Sequence, residues 1–137
     1  MLKIYLDTCI YLDYFEDRKD NLRPLGEFAF QLLKRTFECE FEIIISDWLL
    51  AELSKWADKQ TITELFQKLK MLNKDISIET TNDDILKTKD ICNENTHFQD
   101  ALHFVLAKKA GAMYIVTRNI NHFPKDKSLA VVFPENV

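Results

Sequence analysis

Residues Glu42, Ile43, Ile44 and Ile45 place three isoleucines in a row. A strand with one face in water alternates apolar and polar residues. An unbroken β-branched run fits a strand covered on both faces, as in a parallel sheet between helical layers. Short β-prone runs recur at 2–6, 113–116 and 129–133, with a weaker one at 76–78. Helical patterns lie between them. Leu25, Phe28, Leu32 and Leu33 sit at helical spacing in 22–39, and Leu49, Leu50, Leu53 and Trp56 in 47–58. Leu65, Leu69 and Leu72 outline a short helix, and 82–95 and 97–110 are two more. Strands alternating with helices predict an α/β fold with a central parallel sheet of four to five strands. At 137 residues, with 2 Gly, 3 Pro and no internal repeat, the chain reads as one domain over 1–137.

Local signals refine the ends of these elements. Ser46 is the expected N-cap of the helix leaving the second strand, and Asn82 that of the 82–95 helix, with Asp83 and Asp84 suiting the dipole of its first turn. Thr96 and Gln99 are spaced as a capping box for 97–110, and Gly111 supplies the residue after that helix.

Charge and cysteines exclude several function classes. The formal net charge of −4 argues against a generic DNA-coating surface. Segment 108–127 departs from it, with Lys108, Lys109, Arg118, Lys125 and Lys127 against Asp126 alone, a local basic rim that ordinary solvated lysines also explain. Cys9, Cys39 and Cys92 form no C-x-x-C pair, so zinc-knuckle and thioredoxin-type chemistry lack support. No apolar run approaches the roughly 20 residues that span a bilayer, and no basic region precedes a signal-like core. A cytoplasmic protein with no membrane partner is expected.

In open α/β sheets, ligands bind beyond the carboxyl ends of the strands, near the point where strand order reverses. That rule singles out a few polar residues. Asp7 directly follows the first strand, Asn119 follows the fourth, and Glu52 lies in the helix leaving the second. Asp100 opens the helix that feeds the fourth. Each has an ordinary explanation: a turn or cap for Asp7, a dipole-favoured first-turn acid for Asp100. Glu52 sits between Leu50 and Leu53, on the apolar side of its helix, where a carboxylate is costly unless paired or bound to a cation. Three acids from separate segments converging on one sheet edge suggest an oxygen-ligand site for a hard divalent cation, the kind that hydrolyses phosphodiesters. A phosphatase with an aspartyl nucleophile fits poorly, because Cys9 occupies the second position of the D-x-D that it wants.

The strand running into "LDT", the internal "SDWLLAEL" and the block "FQDALHFVLAKKAGAMYIVTRNINHF" resemble the PIN domain family, especially its small VapC-like toxins. The match spans essentially the whole chain. The resemblance implies a three-layer α/β/α sandwich and an endoribonuclease dependent on Mg²⁺ or Mn²⁺, the toxin of a type II toxin–antitoxin pair. It further implies a protein antitoxin and a homodimer as partners. Carried over by position, Asp7, Glu52 and Asp100 would be the catalytic metal ligands. Thr8, Thr117, Arg118 and Asn119 would support them or contact substrate phosphate. Many members carry a fourth acid after "T-R" where this chain has Asn119, which leaves open a catalytically weak or inactive RNA- or protein-binding module. Cys9, where a polar residue is common, is read as packing.

The remaining candidates have simpler readings. His97, Asp100 and His103 fall within seven residues, but no H-x-x-x-H pair exists and a zinc site is disfavoured. His122 lies close to the site in sequence. Phe28, Phe30, Phe37 and Phe66 read as core or interface residues.

Overall fold

The computed structural model describes residues 1–19 and 22–137. Five strands, β1 (Leu2–Leu6), β2 (Phe41–Ser46), β3 (Asp75–Ile78), β4 (Tyr114–Val116) and β5 (Ala130–Val132), form one sheet. Its order is β3-β2-β1-β4-β5, with every pairing parallel. The helices are α1 (Thr8–Glu16), α2 (Leu25–Phe37), α3 (Asp47–Leu53), α4 (Lys59–Met71), α5 (Asn82–Ile91) and α6 (Phe98–Lys109). Among the described residues no helix is long and apolar enough to cross a membrane.

The period of two along a strand divides the core. Ile4, Leu6, Ile43, Ile45 and Val116 face α1 to α4 in one cluster, with Leu32, Leu33, Leu49 and Leu69. Tyr5, Ile44 and Ile115 face the opposite layer, where Leu102, Leu106 and Ala107 of α6 pack. The isoleucine run is therefore buried on both faces, and the three-layer α/β/α sandwich is the fold found.

Several boundaries differ from the sequence reading. Helix α1 was not foreseen. The first strand and the helix meet with no loop, and Asp7 itself caps α1 by accepting the Thr8 N–H at 2.8 Å. The N-cap of α5 is Thr81, one residue before Asn82, and it forms a reciprocal capping box with Asp84. Thr96 does not cap α6. His97 is the N-cap and makes no side-chain cap bond, while the Thr96 N–H donates to Asn93. Helix α3 stops at Leu53, so Trp56 is not part of the core stripe; it is 69% exposed. Ser46 does cap α3, accepting the Leu49 N–H at 3.0 Å, and Gly111 follows α6 at φ +80°, a region a side chain disfavours.

One glycine is demanded by close approach. A Cβ on Gly26, near the start of α2, would lie 2.6 Å from the Asp17 Cα at the end of α1.

Strand order reverses about β1, which sends the chain to β2 on one side and receives β4 on the other. The Asp7 N–H donates to the Val116 carbonyl at 2.9 Å, so the ends of β1 and β4 leave the sheet side by side. That crevice is where the selected acids lie.

Candidate active site at the carboxyl edge of the sheet

Asp7, Thr8, Cys9, Glu52, Lys55, Trp56, Gln99, Asp100 and Asn119 line one open cleft of about 360 Å³. Five segments contribute: the end of β1, the start of α1, α3 with the turn after it, the first turn of α6, and the loop after β4. A larger hollow of about 670 Å³, bordered by His97, His122 and Lys125, contains none of Asp7, Glu52 and Asp100.

Asp7 is held by its neighbours on both strands. Its Oδ1 accepts the Thr8 N–H, and its Oδ2 accepts the Thr117 hydroxyl at 2.8 Å. Thr117 is fully buried, and its oxygen accepts the Asn119 N–H at 3.0 Å. Fixing the carboxylate thus also shapes the turn that carries Asn119. The Cys9 thiol lies 3.6 Å from Asp7 Oδ2. Burial, then the charge of Asp7, push that thiol far up, so it stays protonated and acts as packing.

Glu52 is held through one oxygen. Its Oε2 accepts the Thr8 hydroxyl at 2.7 Å and lies 2.9 Å from His103 Nε2. Burial works against its ionisation. The hydrogen bond and charge of His103, with the Thr8 hydroxyl, outweigh that and hold Glu52 below the ordinary carboxylate range.

Asp100 behaves in the opposite sense. Burial, and next the charge of Asp7, push its carboxyl above the ordinary range, against the pull of His122 and His103. His122 Nδ1 stands 3.6 Å from its Oδ2. An acid raised in part by an acid on a different element is the electrostatic mark of carboxylates brought together. The donor set, three carboxylates and the neutral Asn119 side chain along one cleft, fits a hard cation. One oxygen each of Asp7 and Glu52 also lies with His103 Nε2 in a group within 4.8 Å of one another.

The structure separates other candidates from the cleft. Arg118 turns inward, away from it. Its Nη1 donates to Glu135 at 2.8 Å, its guanidinium lies 5.5 Å from the rings of both Phe28 and Phe133, and its Nε is 3.8 Å from buried Asp13. It ties the last turn of the chain to α1 and α2. Lys108 and Lys109 are drawn into ion pairs with Asp126 and Asp84. Phe30 is exposed, whereas Phe28, Phe37 and Phe66 are half-buried.

His103 was named in the sequence only within a disfavoured zinc site with His97. Its place against Glu52 and beside Tyr5 was missed. The available signal was a histidine inside the apolar run "ALHFVLA", three residues after Asp100 and so on the same face of α6.

No family model matches the chain, and no curated protein matches it. Solved structures do. A toxin–antitoxin complex from Klebsiella pneumoniae superposes with a TM-score of 0.62 at 20% identity, over 96% of this chain and 97% of that one. VapBC2 from Rickettsia felis, bound to a DNA fragment from its promoter, gives 0.56 at 21% identity, over 95% and 97%. Mycobacterium tuberculosis VapC20, described as a sarcin–ricin loop cleaving toxin, gives 0.55 at 13% identity, over 91% and 92%. The chain therefore has, along nearly its full length, the α/β fold of these PIN-domain structures.

Proposed function

We propose that this chain is an endoribonuclease that hydrolyses RNA phosphodiester bonds with a bound divalent cation, as the toxin of a type II toxin–antitoxin pair. The observation that carries the reading is Asp7, Glu52 and Asp100 lining one cleft where the strand order reverses. The raised Asp100 adds to it, since a cation relieves the like charges. The descriptions of the similar structures support the rest: loop cleavage for VapC20, and pairing with an antitoxin for the two complexes.

Asp7, Glu52 and Asp100 would hold the ion, with Asn119 offering a neutral oxygen. An all-oxygen set suits Mg²⁺ or Mn²⁺. When bound, such an ion supplies charge neutralisation at the phosphate and a more acidic water. The protein's part is positional. Thr8 and Thr117 direct the Asp7 carboxylate, Thr8 also directs Glu52, and buried Leu49 and Leu53 seat the helix that carries Glu52. Lys55 offers a cationic head to substrate phosphate, and the exposed Trp56 indole offers a stacking face to an unpaired base.

Asn119 favours a second reading, a PIN-fold module that binds RNA or protein without cutting it. One assay separates the two. Purified protein is incubated with a mixed RNA pool and Mg²⁺ or Mn²⁺, then with EDTA, and then as Asp7→Asn and Asp100→Asn. We expect cleavage only by the metal-loaded wild type. Cleavage that survives EDTA and both substitutions would sink the metal-nuclease reading, while tight binding without cleavage selects the module. Light scattering on a sizing column checks the homodimer that belongs to the same reading.

A further inference from the structure

We propose that His103 is a positioning residue of this site: from beneath the cleft its imidazole fixes Glu52 Oε2, with Tyr5 and Ser46 fixing the imidazole, so that Glu52 Oε1 is left for a cation. The inference rests on the reading of Glu52 as a metal ligand.

His103 is 1% exposed, in a turn of α6 whose neighbours Leu102, Phe104 and Leu106 are all buried. An imidazole there is costly unless both ring nitrogens find partners. Both do. Nε2 lies 2.9 Å from Glu52 Oε2, and Nδ1 lies 2.6 Å from the Tyr5 hydroxyl. A carboxylate only accepts, so Nε2–H is the donor. Nδ1 bonds the Tyr5 hydroxyl, accepting its proton in the neutral ring and donating to its oxygen in the charged one. The Tyr5 oxygen lies 2.8 Å from Ser46 Oγ, and Ser46 accepts the Leu49 N–H as the N-cap of α3.

The hydrogen-bond chain therefore starts at the first turn of α3 and returns to the same helix at Glu52, passing through β1 and α6. With Thr8 also donating to Oε2, that oxygen accepts two bonds, and among the described residues Oε1 accepts none. One face of the carboxylate is tied to the protein and the other is left to the cleft. This is how partners outside the coordination sphere usually orient a ligand.

The competing assignment makes His103 itself a ligand, since its Nε2 belongs to the same tight group as Asp7 and Glu52 oxygens. The geometry favours positioning. The Nε2 proton is committed to Oε2, and His103 does not line the cleft.

Mn²⁺ binding to the full chain, followed by electron paramagnetic resonance, tests this without an activity readout. We expect His103→Leu to weaken Mn²⁺ binding by about tenfold or more, the usual effect of losing such a partner. His103→Gln, whose amide N–H can replace the Nε2–H donor, should recover most of the affinity. Tyr5→Phe should lose severalfold by freeing the ring to turn. Circular dichroism confirms folding of each variant. A folded His103→Leu that binds Mn²⁺ within about twofold of wild type overturns the proposal. So does nitrogen modulation of the wild-type Mn²⁺ echo that vanishes in His103→Leu, because it makes the imidazole a ligand. If His103→Leu fails to fold, Tyr5→Phe decides by the same twofold limit. A wild type that binds no Mn²⁺ is a different failure, that of the metal-site reading itself, and takes the positioning role with it.

Discussion

Replacing Thr117 with valine removes one oxygen from the floor of the site and nearly nothing else. The side chain is fully buried, and valine fills the same volume. The hydroxyl donates to Asp7 Oδ2 at 2.8 Å and accepts the Asn119 N–H at 3.0 Å. A hydrogen bond to a charged group contributes about 1.5–3 kcal/mol. Asn119 is exposed, so water can satisfy its N–H and little is added for that loss. A cost of about 2 kcal/mol follows. Unfolding entropy of about 2.1 cal/mol/K per residue scales to roughly 0.29 kcal/mol/K for this chain, so the melting point falls by about 7 °C. Thr117→Ser keeps the hydroxyl and should recover most of that. The assay is a thermal melt by circular dichroism in EDTA, repeated with excess Mn²⁺. A ligand at 100 times its Kd stabilises the wild type by about 2.7 kcal/mol. Thr117→Val should show a smaller Mn²⁺ shift, because Asp7 has lost its strong side-chain donor. A Thr117→Val variant that melts within about 2 °C of wild type in EDTA, with an undiminished Mn²⁺ shift, would refute the argument.

Asp100→Asn should abolish cleavage yet raise the metal-free melting point at neutral pH, the usual cost of a functional acid. Its carboxyl is raised in the fold, so the native state is penalised above that value, and the penalty fades as pH falls toward the unfolded value of about 4. The advantage of Asp100→Asn should therefore shrink from pH 7.5 to pH 4, and melts that show no such convergence would count against it. Gly26→Ala should destabilise by about 1–3 kcal/mol in urea titration despite the better helix propensity of alanine, because the new Cβ meets the Asp17 backbone. Trp56→Ala should leave the melting point within about 1 °C, since the side chain is largely exposed, but weaken the anisotropy-measured binding of a single-stranded RNA oligomer roughly tenfold. Unchanged RNA binding would place the indole outside the substrate path.

Much of the site's outline is legible in one dimension, because it depends on the ends of strands. The Glu42–Ile45 run fits a strand covered on both faces, and helical spacing and cap signals mark five of the six helices without tertiary information. Once the sheet is parallel, residues just past the strands and at the first turns of helices gather along one edge, which brings Asp7, Asp100 and Asn119 together, and the short helix leaving the second strand carries Glu52 to the same cleft. Caps were less legible. Thr81 and Asn82 are both good cap residues, and only the observed bonds to Asp84 choose between them. Helix α1 was hidden because Asp7 ends the strand and caps the helix in the same step, with no loop to separate the two patterns.

The layers, the parallel sheet and the candidate carboxylates follow from periodicity along the chain and from which residues end each element. How those carboxylates are held depends on packing between elements. Tyr5, Ser46, Glu52 and His103 lie up to 98 residues apart, and no local pattern announces that they share hydrogen bonds. The same holds for Arg118, which reads as a phosphate contact in the motif but is turned inward by Glu135, Phe28 and Phe133. Local propensity selects elements one at a time. Side-chain partners across elements exist only after packing has removed water and fixed the distances between them.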